Sequence, residues 1–125
     1  MAAPAQEQVK AYAQGVNVVS IKAGDGKTFP KKGDHLTMHY TGTFHGGAKH
    51  GGKFDSSVDK GKPFKFTIGV GQVIKGWDEG VMKMSLGEKA VLEISWEYGY
   101  GAKGYPGVIP QKQDLKFEVE VLAIN

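Results

Sequence analysis

Residues 73–84 read VIKGWDEGVMKM, and they are where the period of the apolar residues changes. Val73 or Ile74, Trp77 and Val81 recur at helical spacing with Lys75, Asp78 and Glu79 opposite, which predicts a short amphipathic helix. On either side the period is two. Upstream, VNVVSIKA (16–23) reads as a strand, and HLTMHYT (35–41) sets Leu36, Met38 and Tyr40 on one face against His35, Thr37 and His39. KPFKFTIG (62–69) alternates Phe64, Phe66 and Ile68 with Lys65 and Thr67. Downstream, EKAVLEISW (88–96) alternates again, and DLKFEVEVLAI (114–124) places Leu115, Phe117, Val119 and Val121 inside against Lys116, Glu118 and Glu120. One helix among five or so strands does not build strand-helix-strand units, so a doubly wound parallel sheet is disfavoured. The layer solution left is α+β, an antiparallel sheet with its helix packed on one face.

A chain of 125 residues suits one domain with a single core. Residues 1–14 are rich in Ala and Gln with few large apolar groups, so they are expected to be an extension, flexible or weakly helical, ahead of a folded unit over 15–125. The absence of cysteine removes disulfides, thiolate chemistry and Cys-ligated zinc, and fits a reducing compartment. All 16 basic residues are lysines scattered along the chain, with no guanidinium fork and no concentrated basic face, which argues against nucleic acid. No signal-like or membrane-length apolar run is present, so no membrane association is expected and the localisation expected is cytoplasmic.

Between the last two strands, YGYGAKGYPGVIP (98–110) sets three tyrosines, a valine and an isoleucine among four glycines and two prolines. Such a segment is neither helix nor central strand, and its apolar groups need cover. Trp77, the largest side chain of the helix, is expected between helix and sheet, and the loop is expected to rim an apolar pocket floored by that helix. GTFHGGAKHGGKFDSS (42–57) is glycine-dense and reads as a flexible connection. Asp55 within it reads as a turn former, or as a partly buried carboxylate because Phe54 precedes it; a buried carboxylate needs hydrogen-bond partners, and Tyr100 is the natural donor.

In this order and at these separations, MHYTG, GKFDSS, KPFKFTIGVGQVIKGWDEGV and YGYGAKGYPGVIP resemble the FKBP-type peptidyl-prolyl cis-trans isomerases, close to the small single-domain members, from about Gly15 to the C-terminus. The resemblance implies a twisted antiparallel sheet of five to six strands wrapped around one short helix. It implies an enzyme that accelerates rotation of X-Pro bonds in peptides and folding proteins, and a pocket that also binds tacrolimus and rapamycin. Carried over position by position, the pocket is Tyr40, Phe54, Asp55, Phe64, Val73, Ile74, Trp77, Tyr100, Tyr105, Ile109 and Phe117, with Gln72 as a polar rim position. Asp55, Tyr100, Trp77, Phe54 and Ile74 are the expected catalytic set. Trp77 would floor the proline ring, Phe64, Val73 and Phe117 would wall it, the Ile74 N–H and the Tyr100 hydroxyl would donate to substrate carbonyls, and Asp55 would orient the network. No cofactor is implied. Drug-dependent engagement of calcineurin or the TOR kinase is a family possibility.

The chain departs from the family pattern at Lys60, where many members carry arginine, which weakens any forked pairing with Asp55 or Tyr100. It also departs at Tyr105, where histidine is common, and in a somewhat longer 42–53 loop. Read without the resemblance, Tyr40, Phe64, Trp77 and Phe117 are ordinary core. His35 and His39 lie on one strand face about 13 Å apart, too far to share an ion, and His45 and His50 read as mobile surface imidazoles, so no metal site is expected. GVGQ (69–72) lacks the lysine and hydroxyl of a phosphate-binding loop. Three function classes stay open at this point: a proline isomerase, a binding module holding a proline-bearing partner, and a catalytically dead relative. With no heptad or exposed apolar strip, a monomer is expected.

Overall fold

The longest alternating runs of the sequence make the two central strands. The structure, a computed structural model, describes residues 8–9 and 15–125. Its strands are β1 (Gln8–Val9), β2 (Val16–Lys22), β3 (His35–His45), β4 (Lys53–Ser56), β5 (Phe64–Thr67), β6 (Lys89–Ile94) and β7 (Asp114–Ile124); its helices are α1 (Ser57–Lys60) and α2 (Lys75–Gly80). Every pairing is antiparallel, in the order β1-β2-β6-β7-β3-β4, with β5 also on β3. β7 lies between β6 and β3, and its inward set Leu115, Phe117, Val119 and Val121 is buried as the alternation requires. Of the expected 1–14 extension, only Gln8 and Val9 fall within the described residues, and there the backbone is extended and pairs with Ser20 and Val19 rather than helical.

α2 lies against one face of the sheet, and a 3-10 turn (Val81–Lys83) continues it. Trp77 and Val81 are buried together with Met38, Ile68, Leu92, Ile94, Leu115 and Phe117 in one core. Gly76 permits the approach: a Cβ there would lie 2.6 Å from Ile94 Cγ2, so any larger residue would push helix from sheet.

The free edge of β3 is divided between two partners. β5 pairs with residues 35–38, and β4 with residues 41–43. At the gap between them sits Tyr40, whose backbone N–H donates to Ser57 Oγ at 2.8 Å while the same hydroxyl donates back to the Tyr40 carbonyl at 3.3 Å. One serine at the start of α1 therefore replaces the missing strand neighbour and satisfies backbone groups that would otherwise be orphaned. α1 was not expected; the pattern that marks it is SSVDKG, in which Ser56 Oγ accepts from Asp59 N–H at 3.2 Å and Gly61 closes the turn at φ 71°.

The glycine-dense connection is also more regular than its composition suggests. β3 runs on to His45, and residues 46–52 form a hairpin turn whose base is closed by Phe44 N–H to Gly52 O at 2.9 Å and Gly51 N–H to Phe44 O at 2.8 Å. Positive φ at Gly46, Gly47 and Gly51 makes the glycines part of that turn rather than a sign of flexibility.

Candidate functional site

The Trp77 ring lies on the sheet-facing side of α2, surrounded by four other rings. Tyr40, Phe64 and Phe117 meet it edge to face, with centroids at 5.2, 6.0 and 5.4 Å, and Phe66 lies tilted at 5.6 Å. Edge-on contacts of this kind favour one ring arrangement over others and hold the indole in place. Above it opens a cavity of about 450 Å³, lined by Tyr40, Phe54, Asp55, Phe64, Gln72, Val73, Ile74, Trp77, Tyr100 and Phe117. That size and mix, mostly apolar with a few convergent polar groups, is what small-molecule sites have in common.

Of the residues singled out in the sequence, these ten come together and two do not. Ile109 is buried in the core, 4% exposed, and Tyr105 is 57% exposed outside the cavity, its ring 6.1 Å from that of Tyr100. The reason is a tight turn within the loop. Tyr105 and Ile109 exchange both backbone hydrogen bonds, at 2.9 and 2.8 Å, around Pro106 and Gly107, with Gly107 at φ 82° as the third residue of a type II turn requires. The small hairpin turns Ile109 inward, and it is Tyr100 that reaches the cavity. Phe64, expected among the buried positions of its strand, is instead 36% exposed at the cavity wall, stacked on Phe66 at 5.4 Å.

Among the described residues Asp55 is the only carboxylate in the cavity lining. Its partner differs from the expected one: the hydroxyl that donates to it is that of Tyr40, to Oδ2 at 2.6 Å, and no hydrogen bond joins it to Tyr100. Oδ1 accepts from Ser56 N–H at 2.9 Å and pairs with Lys60 Nζ at 2.9 Å, one ammonium contact where a guanidinium would offer a fork. Burial is the largest single influence on the Asp55 carboxyl and opposes its ionisation. The hydrogen bonds from Tyr40 and Lys60, the Lys60 charge and the Ser56 amide together outweigh it and hold the pKa below the ordinary carboxylate value. Burial, then the hydrogen bond to Asp55, pushes the Tyr40 phenol well above its usual range; burial, then the Asp55 charge, raises Tyr100 as well.

The polar inventory is short and oriented. Ile74 is the N-cap of α2, and its N–H donates to no acceptor among the described residues; the Tyr100 hydroxyl makes no hydrogen bond among them either. Two residues that sequence reasoning did not single out position this mouth. Asp78 accepts from Gly69 N–H at 2.8 Å and Gly71 N–H at 3.0 Å, tying the 69–72 turn to α2, and Ser57 fixes the Tyr40 backbone. Asp78 falls on the outward side of the helical pattern, so nothing in the period marks its role. Gln72 accepts from Thr67 N–H at 2.9 Å through Oε1, linking the same turn to the end of β5.

Elsewhere three of the four histidines make side-chain hydrogen bonds, whereas His45, read from the sequence as a mobile surface imidazole, has a buried Nδ1 with no hydrogen-bond partner among the described residues. His35 Nδ1 lies 3.0 Å from Thr67 Oγ1, His39 Nδ1 lies 2.8 Å from Ser57 Oγ, and His50 Nδ1 accepts from Gly46 N–H at 2.6 Å. Among the described residues no group of three metal-ligating side chains converges, and no helix is long and apolar enough to cross a membrane.

Comparison with known proteins places the chain in a family. Residues 26–122 match the family described as FKBP-type peptidyl-prolyl cis-trans isomerase. The chain is 60% identical to FK506-binding protein 1 of Yarrowia lipolytica over 89% of this chain and 99% of that one. It is 61% identical to a peptidyl-prolyl cis-trans isomerase of Schizosaccharomyces pombe over 89% and 96%, and 56% identical to the Drosophila melanogaster isomerase Fkbp12 over 89% and 99%. With the family matched across most of its length and relatives this similar, the chain belongs to the FKBP-type peptidyl-prolyl cis-trans isomerases.

Proposed function

We propose that the aromatic cavity over Trp77 is where this isomerase binds and rotates X-Pro bonds, and that tacrolimus and rapamycin occupy the same space. The observation that carries the reading is an apolar cavity whose carboxylate, the one among its described lining residues, is already satisfied and whose donors include the Ile74 N–H and the Tyr100 hydroxyl, neither of which has an acceptor among the described residues. The names of its relatives as FK506-binding proteins support the drug half of the reading.

Amide resonance sets a barrier of about 18 to 20 kcal/mol to rotation about a peptide bond, and twisting removes that resonance, leaving a less polar carbonyl and a pyramidal nitrogen. No bond between heavy atoms forms or breaks, so no nucleophile or proton shuttle is needed. A proline ring on the Trp77 face, walled by Phe64, Val73 and Phe117, leaves water behind. In that environment the planar, polar ground state loses more than the twisted state does. The Ile74 N–H holds a substrate carbonyl, the Tyr100 hydroxyl holds another, and Phe54 closes the inner wall. Asp55, ionised and anchored by Tyr40 and Lys60, sets the field and fixes the Tyr40 ring. Each tenfold of acceleration corresponds to about 1.4 kcal/mol of preference for the twisted state.

Tyr105 acts at the rim through Tyr100, and Ile109 acts by holding the loop to the core. The partners of this reading are proline-containing peptides and proteins, with calcineurin or the TOR kinase meeting only the drug-loaded surface. The chain works as a monomer in the cytoplasm. The test is NMR exchange of a Leu-Pro or Phe-Pro peptide between cis and trans, with the protein and then with tacrolimus added. Acceleration abolished by stoichiometric macrolide is the expected result. Acceleration that persists under saturating macrolide places the chemistry elsewhere, and drug binding without acceleration makes the cavity a binding module.

A further inference from the structure

Beside the aromatic cavity lies a second groove of about 530 Å³, and it opens at the gap in the β3 edge between β4 and β5. The two share Tyr40 and Phe64 as a common ridge, so an extended chain leaving the first crosses Phe64 to enter the second. Their chemistry differs. The second groove is lined by Lys60, Lys62 and Lys65, and among the described residues no carboxylate belongs to its lining. Lys60 is engaged by Asp55, whereas Lys62 and Lys65 have no acidic partner among the described residues. A polypeptide seated in the cavity therefore meets two uncompensated ammonium groups within a few residues of its proline.

We propose that this groove is an extended substrate subsite that selects X-Pro segments with acidic side chains flanking the proline. It rests on the reading of the Trp77 cavity as the proline site. Three features support it: the adjacency of the two spaces, which share Tyr40 and Phe64 as walls, the one-sign lining, and the exposed Phe64 ring, which gives the crossing chain an apolar contact before the lysines. Lys62 follows the Gly61 cap of α1, and Lys65 lies on β5 opposite Thr37, so both charges are mounted on hydrogen-bonded backbone rather than on a free loop. Exposed ammonium groups of this kind discriminate modestly and are screened by salt, so the subsite sets preference among substrates and not the chemical step.

The test uses the full chain and Leu-Pro peptides that carry two glutamates before the leucine, two glutamates after the proline, or glutamines at the same places. At low salt one glutamate peptide is expected to show a KM about three- to tenfold below its glutamine counterpart with little change in kcat, as two exposed charge pairs would produce. Raised salt shrinks the difference, and the double substitution Lys62→Gln/Lys65→Gln removes it while leaving the glutamine peptides unchanged. Equal KM values for glutamate and glutamine peptides on both flanks, or a preference that survives the double substitution, overturns the proposal. Absence of acceleration for every peptide overturns the reading of the cavity instead. In that event the same peptides are compared by amide chemical-shift titration at Lys62, Phe64 and Lys65, where equal affinities overturn the subsite and a glutamate preference upholds it.

Discussion

Tyr40 carries three duties at one position: its ring edge meets Trp77, its hydroxyl anchors Asp55, and its backbone bridges the gap in the sheet edge through Ser57. Tyr40→Phe keeps the first and third and removes only the hydrogen bond. The expected loss is about 0.5 to 1.5 kcal/mol in urea unfolding, because Asp55 retains Lys60 and the Ser56 amide. Peptide exchange should slow at the same time as the Asp55 carboxylate loosens; an unchanged rate would remove Asp55 orientation from the mechanism. The pH dependence follows from the same group. The Asp55 pKa is lower in the folded protein than its ordinary 3.8, so the unfolded chain binds the proton more readily. Its contribution to stability is therefore complete above the unfolded value and is lost as pH falls through the folded one. Tyr40, raised when folded, contributes below the ordinary 10.0 and loses that contribution as pH climbs above it. Neither titrates between about pH 6 and 8, so the isomerisation rate should be flat there, and a bell-shaped profile centred in that window would show a proton transfer that the mechanism lacks.

At the scale of elements, α2 is six residues long and would not persist alone; it is held by what it touches. Gly76 against Ile94 and Gly80 against Val16 and Leu92 bring its backbone close to the sheet. Gly76→Ala gains helix propensity yet overpacks that contact, so a net destabilisation of about 1 to 3 kcal/mol is expected by thermal or urea unfolding. If the variant proves more stable, the contact relaxes easily and the Trp77 floor is less tightly set than its ring contacts indicate. The first turn of the helix is tied by Asp78 to the 69–72 turn. Asp78→Ala frees two turn amides and releases Gln72, Val73 and Ile74 at the cavity mouth. Stability should fall by about 1 to 3 kcal/mol, and kcat/KM should fall about tenfold or more as the Ile74 N–H loses its place. An intact kcat/KM would mean that the turn holds its shape without the carboxylate.

The whole molecule depends on pairings between distant parts of the chain. β7, the last strand, sits between β6 and β3 and supplies Leu115, Phe117, Val119 and Val121 to the core, so the sheet is incomplete until the C-terminus is in place. Deleting residues 114–125 should abolish cooperative unfolding and near-UV dichroism altogether rather than leave a weaker domain, since β6 and β3 would both become unpaired edges with an open core between them. A truncated chain that still melts cooperatively would show that the helix and the remaining strands make a sufficient core. The two lysines of the outer groove belong to this scale too, because β5, α1 and β3 must meet before Lys62 and Lys65 share one surface with Tyr40.

Local periodicity determined by itself that the chain is α+β, where most strands run though not that β3 continues to His45 or that β4 follows, and that Trp77 and Val81 face inward. A two-residue or helical alternation of apolar groups has only one way to leave water, whatever it packs against. Motif order was enough to identify the family and to name twelve pocket residues, ten of which, Trp77 among them, line the cavity. Only the tertiary structure decided which hydroxyl satisfies Asp55, Tyr40 over Tyr100, because both are tyrosines with the same donor and distance across strands is absent from the sequence. It also decided that Ile109 turns inward and Tyr105 outward, that a serine replaces a strand partner at Tyr40, and that 46–52 is an ordered turn. Each of these is a matter of backbone hydrogen bonds finding partners remote in the chain or of a turn closing on itself. Such choices are made by the assembled sheet and not by the residues that carry them.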